Sequence, residues 1–211
     1  MSVLSEQDRL HLCLSGFPVV IKEDGFSDIS EQVQEEARRF YTEHPECFQR
    51  ALVGTGKNTR LAAERGDKRC WLTPSVCQEY NLTALSALVK RVMGWCKELK
   101  QPLQLNGDFS VQLACYPGGG TRYIRHKDAS TDVTQSTDHS APKLAGQRKL
   151  TWLCYLNQQC EGGNLRVFHP LGHLDILPSL GKVVVMRSDE VEHEVLACHT
   201  PRMAITVWAY A

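Results

Sequence analysis

At 211 residues the chain is long enough for one domain with a substantial buried core. Lysine plus arginine number 24 and aspartate plus glutamate also number 24, a balance that gives no electrostatic footprint for nucleic acid or an anionic membrane. The nine cysteines include no CxxC pair to clamp zinc or run redox exchange, and Cys115 and Cys154 sit inside apolar runs, which suits a reducing compartment. The first 21 residues carry charges before any apolar stretch, and Gly16 and Pro18 interrupt that stretch. They make a poor signal peptide and are too short to span a bilayer. The expectation is a cytoplasmic monomer, with the nucleus as the alternative location, and no membrane or nucleic-acid partner.

Residues 5–15 form a short segment of ambiguous type, followed by the β-branched run Phe17–Ile21 and a Lys22-Glu23-Asp24-Gly25 turn. From Ser27 to His44 the apolar residues Ile29, Val33, Ala37 and Phe40 recur at helical spacing. Residues 50–69, with two glycines and much charge, read as a long loop before Cys70-Trp71-Leu72. A second helix is expected over 81–100, with Leu82, Leu85, Leu88, Val92 and Trp95 on one side and Asn81 as its cap. After Asn106-Gly107 the period changes to two. Strands are expected at 109–116, 121–128, 148–157, 163–169, 174–177, 181–187, 191–198 and 202–209. Their short, even spacing predicts a sandwich or barrel, with a polar surface loop over 129–147. Residues 1–106 are thus a support region of helices and strands, and residues 107–211 the β core of the same domain.

The chemistry concentrates near Ile124-Arg125-His126-Lys127-Asp128. Side chains at i and i+2 of a strand share a face, so His126 and Asp128 can hold one ion between an imidazole and a carboxylate. The best third ligand is His193, near the start of a late strand. Two histidines and one carboxylate on one face of an octahedron leave the other positions open, as in non-haem Fe(II) oxygenases. A 2-oxo acid and O2 could take those positions, and the mixed donor set disfavours Ca²⁺ or Mg²⁺. An HxD triplet is a weak signal taken alone and often means a surface histidine beside a turn aspartate. Arg202 strengthens it. A hairpin returning from His193 carries Arg202 back past the metal, where its guanidinium fork matches the far carboxylate of 2-oxoglutarate. The bland alternative has Arg202 opening its strand and pairing with Glu192 or Glu194. His169 and His173 lie in a turn, and His199 is too near Arg202 to serve from a different strand, so neither turn nor hairpin offers a better ligand.

Four segments carry a family resemblance: Tyr116-Pro117-Gly118-Gly119-Gly120-Thr121 with Tyr123 through Asp128; Gly162-Gly163-Asn164-Leu165-Arg166-Val167-Phe168; Arg202 through Trp208; and Arg65-Gly66-Asp67-Lys68 with Trp71. Together they resemble the HIF-type (Egl-9-like) prolyl 4-hydroxylases. The resemblance implies an α+β fold, a double-stranded β-helix (jelly roll) with N-terminal helices packed on one sheet. It implies Fe(II), 2-oxoglutarate and O2, with L-ascorbate as supporting reductant, used to hydroxylate a proline in a protein or peptide, with oxygen sensing as a role. Carried over, His126, Asp128 and His193 match the metal triad and Arg202 the cosubstrate arginine. Tyr155 matches a hydroxyl donor beside that arginine and Tyr116 a tyrosine near the ketoacid end. Thr206, Trp208 and Leu165 match pocket positions. Arg65, Asp67, Trp71, Tyr123 and Arg148 fall where substrate would lie. Plainer roles stay open: Tyr155 and Trp208 as strand core residues, Arg65 and Asp67 as an internal ion pair, Arg148 as a sheet cap. A nucleic-acid demethylase of the AlkB type shares the triad, and a non-catalytic jelly-roll module shares the fold.

Overall fold

The computed structural model describes residues 2–14, 16–50, 65–129, 147–158 and 160–211. The ambiguous first segment is a helix, α1 (Glu6–Cys13). Ser5 and Asp8 fix its start in a reciprocal capping box: the Ser5 hydroxyl accepts the Asp8 N–H at 3.1 Å and the Asp8 carboxylate accepts the Ser5 N–H at 2.7 Å. Strand β1 (Val19–Lys22) follows, then α2 (Ser30–Glu43), which buries Val33, Ala37 and Phe40 as its spacing predicts. Strands β2 (Gln49–Arg50) and β3 (Lys68–Trp71) come next, so the expected loop gives way to a strand at Lys68; positions 51–64 lie outside the described residues. A short helix that no apolar period announced, α3 (Pro74–Glu79), starts on Pro74 with Thr73 capping Val76 N–H. It leads into α4 (Thr83–Cys96), which buries Leu85, Leu88, Val92 and Trp95.

Asn81 does not cap α4. It turns the chain at φ 51°, and Leu82 occupies the cap position with no side-chain hydrogen bond. The orphan N–H of Leu85 instead finds the Glu36 carboxylate of α2 at 2.7 Å, an end made good by a neighbouring helix. Eight strands complete the chain: β4 (Phe109–Tyr116), β5 (Thr121–His126), β6 (Arg148–Tyr155), β7 (Leu165–His169), β8 (Gly172–Ile176), β9 (Val183–Arg187), β10 (His193–Cys198) and β11 (Arg202–Tyr210). Positions 130–146 of the expected 129–147 loop lie outside the described residues. No described helix is long and apolar enough to cross a membrane.

The strands form two antiparallel sheets. The major sheet runs β1-β9-β6-β11-β4-β3-β2 and the minor sheet β5-β10-β7-β8. Strands from the first half of the chain thus extend the sheet built by the second. Alternation along each strand makes two cores. On the outer face of the major sheet Leu113, Trp152, Val185, Ile205 and Val207 pack with residues of α2 and α4. Between the sheets Tyr116, Tyr155, Leu165, Val167, Met186 and Ala204 form the second core. This is the jelly roll with helices on one sheet.

Candidate active site

Two of the predicted ligands sit opposite each other on paired strands of the minor sheet: His193 of β10 is in register with His126 of β5. Each ring is oriented by its own chain, since Nδ1 of His126 lies 2.8 Å from Ile124 O and Nδ1 of His193 lies 3.2 Å from Val191 O. A proton on Nδ1 satisfies both contacts and leaves the Nε2 lone pairs free. Nε2 of His126 is 3.5 Å and Nε2 of His193 3.7 Å from Oδ1 of Asp128, with all three atoms within 4.8 Å of one another.

The strand-face argument for Asp128 needs correction. β5 ends at His126, and Asp128 stands in the turn beyond it. Its position comes from the major sheet instead. Ala129 N–H donates to Ser188 O at 3.0 Å, and the Thr151 hydroxyl of β6 donates to Asp128 Oδ2 at 2.7 Å. Because Thr151 gives its proton to the carboxylate, its oxygen accepts from the Ser188 hydroxyl 2.8 Å away. Oδ2 is thereby held back and Oδ1 faces the histidines.

Burial works to raise the Asp128 pKa, but His193, His126 and the Arg148 guanidinium together hold the carboxyl well below its usual range. Burial, with His126 beside it, pushes the His193 imidazole down to about 4 against the pull of Asp128. A neutral, oriented imidazole and an ionised carboxylate are what a divalent ion such as Fe(II) requires, and a buried carboxylate otherwise carries a large desolvation cost. The donor set fits that ion.

Arg202 opens β11, paired with Tyr116 of β4, and is buried. The hairpin expected between His193 and Arg202 does not exist: β10 belongs to the minor sheet and β11 to the major sheet, so the chain crosses the sandwich between them. Arg202 reaches the site from the facing sheet. Its guanidinium stands 5.0 Å from the ring centres of both Tyr116 and Tyr155. Neither Glu192 nor Glu194 pairs with it; Glu192 binds Arg125 and Glu194 lies 3.8 Å from Arg166. Arg202 Nε and the Tyr155 hydroxyl are buried without a hydrogen-bond partner among the described residues. Unpaired donors buried between the two sheets fit an anionic ligand such as the far carboxylate of a 2-oxo diacid. Leu165 lines the inter-sheet core, and Thr206 lies on the same face of β11 as Arg202.

Trp208 continues that face. The Arg148 guanidinium lies 3.9 Å over its ring and reaches Asp128 O at 3.3 Å, and the Trp71 ring is 5.8 Å away. Nε1 of both tryptophans and Nε of Arg148 are also buried without partners. Arg65 and Asp67 make a bidentate ion pair at 2.6 and 2.9 Å, the internal brace foreseen as their plainer role. Arg65 also lies 4.3 Å over Tyr123, whose ring stacks on His126 at 3.7 Å. His169 meets Phe17 and His173 meets Phe168, outside the triad.

The sequence reading missed Thr151, Ser188 and Asn157. A threonine in an apolar strand and a serine just past one carry no local signal of which ligand they will meet, and Asn157 reads as a strand end. Gly163 was quoted only as part of a motif. With φ 70° it passes Arg202 so closely that a Cβ there would stand 3.0 Å from Arg202 Cδ and 2.8 Å from Cys198 Sγ.

Residues 111–210 match the model of the 2OG-Fe(II) oxygenase superfamily. Human Egl nine homolog 1 is 31% identical over 179 residues, covering 76% of this chain and 39% of that protein. Mouse prolyl hydroxylase EGLN3 is 30% identical over 156 residues, covering 69% of this chain and 59% of that protein. The chain thus spans less than two thirds of either relative. Among solved structures, a Pseudomonas putida prolyl-4-hydroxylase superposes with a TM-score of 0.74 at 25% identity, covering 96% of this chain and 99% of that one. A Trichoplax adhaerens prolyl hydroxylase, in complex with a hypoxia inducible factor oxygen degradation domain peptide fragment, gives 0.73 at 24% identity, covering 97% and 90%, and shares the fold. The chain carries a 2OG-Fe(II) oxygenase domain over residues 111–210 and is similar to the Egl nine-type prolyl hydroxylases.

Proposed function

We propose that this chain is an Fe(II)- and 2-oxoglutarate-dependent dioxygenase that hydroxylates prolyl residues, at C4, in a protein substrate. One observation carries the reading: three oriented metal-ligating atoms converge in a sandwich that also buries Arg202 Nε and the Tyr155 hydroxyl with no hydrogen-bond partner among the described residues. The Egl nine relatives favour proline as the target over the nucleobase of an AlkB-type enzyme. The Trichoplax neighbour's complex with a peptide fragment supports a peptide as the class of substrate.

His126, Asp128 and His193 would hold the metal, with Thr151 bonded to Oδ2 of Asp128 so that Oδ1 faces the two imidazoles. Arg202 and Tyr155 donate to the distal carboxylate of 2-oxoglutarate, which sets the cosubstrate's orientation before reaction. When bound, iron with 2-oxoglutarate and O2 supplies the oxidising power: the cosubstrate becomes succinate and CO2, one oxygen atom going to each of succinate and the C–H bond. Trp208, Trp71 and Arg148, packed on one another next to Asp128, wall the substrate end of the site and exclude water. L-ascorbate serves as supporting reductant. The protein works as a cytoplasmic monomer on protein substrates rather than nucleic acid, with oxygen sensing as its role.

The test is mass spectrometry of proline-containing cell proteins after incubation with the protein, Fe(II), 2-oxoglutarate and air. Prolines gaining one oxygen with the parent protein and not with Asp128→Ala support the reading. Succinate formation with oxygen appearing only on other residues or on nucleobases overturns the prolyl assignment.

A further inference from the structure

Strands β6 and β11 pair down to Tyr155 and Ala204, and the Leu156 N–H still reaches Met203 O at 3.1 Å. At Asn157 the ladder passes from main chain to side chain. Asn157 Oδ1 accepts the Met203 N–H at 2.5 Å, and Asn157 Nδ2 donates to Pro201 O at 2.9 Å. A carboxamide carries the same donor and acceptor as a peptide group, so this side chain makes a last rung. The two peptide groups that it grips flank Arg202 on either side. Pro201 has no N–H of its own to anchor the strand's start. The rest of Arg202 is confined by Gly163 against its Cδ and by Tyr116 and Tyr155 at its guanidinium.

We propose that Asn157 is a positioning residue for Arg202, fixing the depth at which the guanidinium meets the distal carboxylate and hence the length of 2-oxo diacid accepted. The proposal rests on the cosubstrate reading above. Arg202 has a long, rotatable stem, and a guanidinium held from its own backbone discriminates between chain lengths better than one free to follow the ligand.

The experiment measures 2-oxoglutarate binding to the Mn(II)-loaded protein under nitrogen by calorimetry, with Mn(II) affinity and Tm recorded alongside. In Asn157→Ala the 2-oxoglutarate Kd should rise about tenfold. Mn(II) affinity should stay near the parent value. The preference for 2-oxoglutarate over 2-oxoadipate, one methylene longer, should narrow. Asn157→Asp is isosteric and sets a carboxylate oxygen against the Pro201 carbonyl; the same narrowing is expected of it, and it serves should the alanine variant fail to fold. An unchanged 2-oxoglutarate Kd in a folded variant, or Mn(II) affinity falling in step with it, makes Asn157 a strand-end support only and overturns the proposal. A parent protein that binds Mn(II) but no 2-oxoglutarate overturns the cosubstrate reading itself, and the positioning role with it.

Discussion

The two faces of β11 meet different surroundings. Met203, Ile205, Val207 and Ala209 point outward into a core of apolar residues shared with α2 and α4, in which Trp152 Nε1 is the buried donor without a partner among the described residues. Arg202, Thr206 and Trp208 point inward, toward the minor sheet, into the region of the unpaired donors of Arg202, Tyr155, Arg148 and the two tryptophans. Each buried polar atom left unpaired costs about 1–3 kcal/mol, so the inner face lowers stability until a ligand arrives. One strand therefore carries stability on one side and recognition on the other, at a spacing of one residue. Substitutions on the inner face should cost function at nearly constant stability, and those on the outer face the reverse.

The largest effect is expected at Asp128. Asp128→Ala removes the one anionic donor of the triad, so metal binding and succinate formation should fall to background in the presence of iron. Tm is recorded alongside to separate loss of metal from loss of fold, because Thr151 loses its acceptor and Arg148 a nearby carboxylate. Retained turnover with iron would falsify the triad. On the outer face Ile205→Ala should lower unfolding free energy by about 2–5 kcal/mol in urea titration. The surviving folded protein should keep its metal affinity, and a loss of affinity comparable to that of Asp128→Ala would erase the distinction between the faces. Arg202→Ala comes next. It should raise the apparent KM for 2-oxoglutarate about a hundredfold through loss of two charge-assisted hydrogen bonds, with iron retained.

The two faces were not equally legible in the sequence. Apolar period alone located α2, α4 and most strands, because the outer core is a bulk property that repeats along the chain. It was silent on α3 and β2, which are too short to show a period, and on α1, whose capping box is its signal. The triad and Arg202 were legible as residue types at a spacing, yet both geometric reasons given for them fail. Asp128 is not on the strand with His126, and no hairpin joins His193 to Arg202. His126 and His193 meet by strand pairing within one sheet, while Asp128 is held and Arg202 supplied by the facing sheet, long-range relations that local spacing does not encode. Asn81 failed as a cap for the same reason: Glu36, 49 residues away from Leu85, took the role.

Thr151 gives the smallest and most discriminating test of the inner face. It is fully buried in β6, and its hydroxyl both donates to Asp128 Oδ2 and accepts from Ser188. The order of donors in this chain is forced, since an ionised carboxylate only accepts. Were Thr151 present for packing, valine would replace it at little cost to the metal. If it holds Oδ2 away from the metal, Thr151→Val frees that oxygen to swing inward or to stay buried unpaired. Metal affinity should then weaken about tenfold, while Thr151→Ser, which keeps the hydroxyl and loses only a methyl group, should remain near the parent value. Titrating Mn(II) into both variants separates the cases. Equal affinity in valine and serine variants would move Thr151 from the site's support to the inter-sheet packing, and leave the bonds of Ala129 to Ser188 and of Arg148 to Asp128 O to anchor the Asp128 turn.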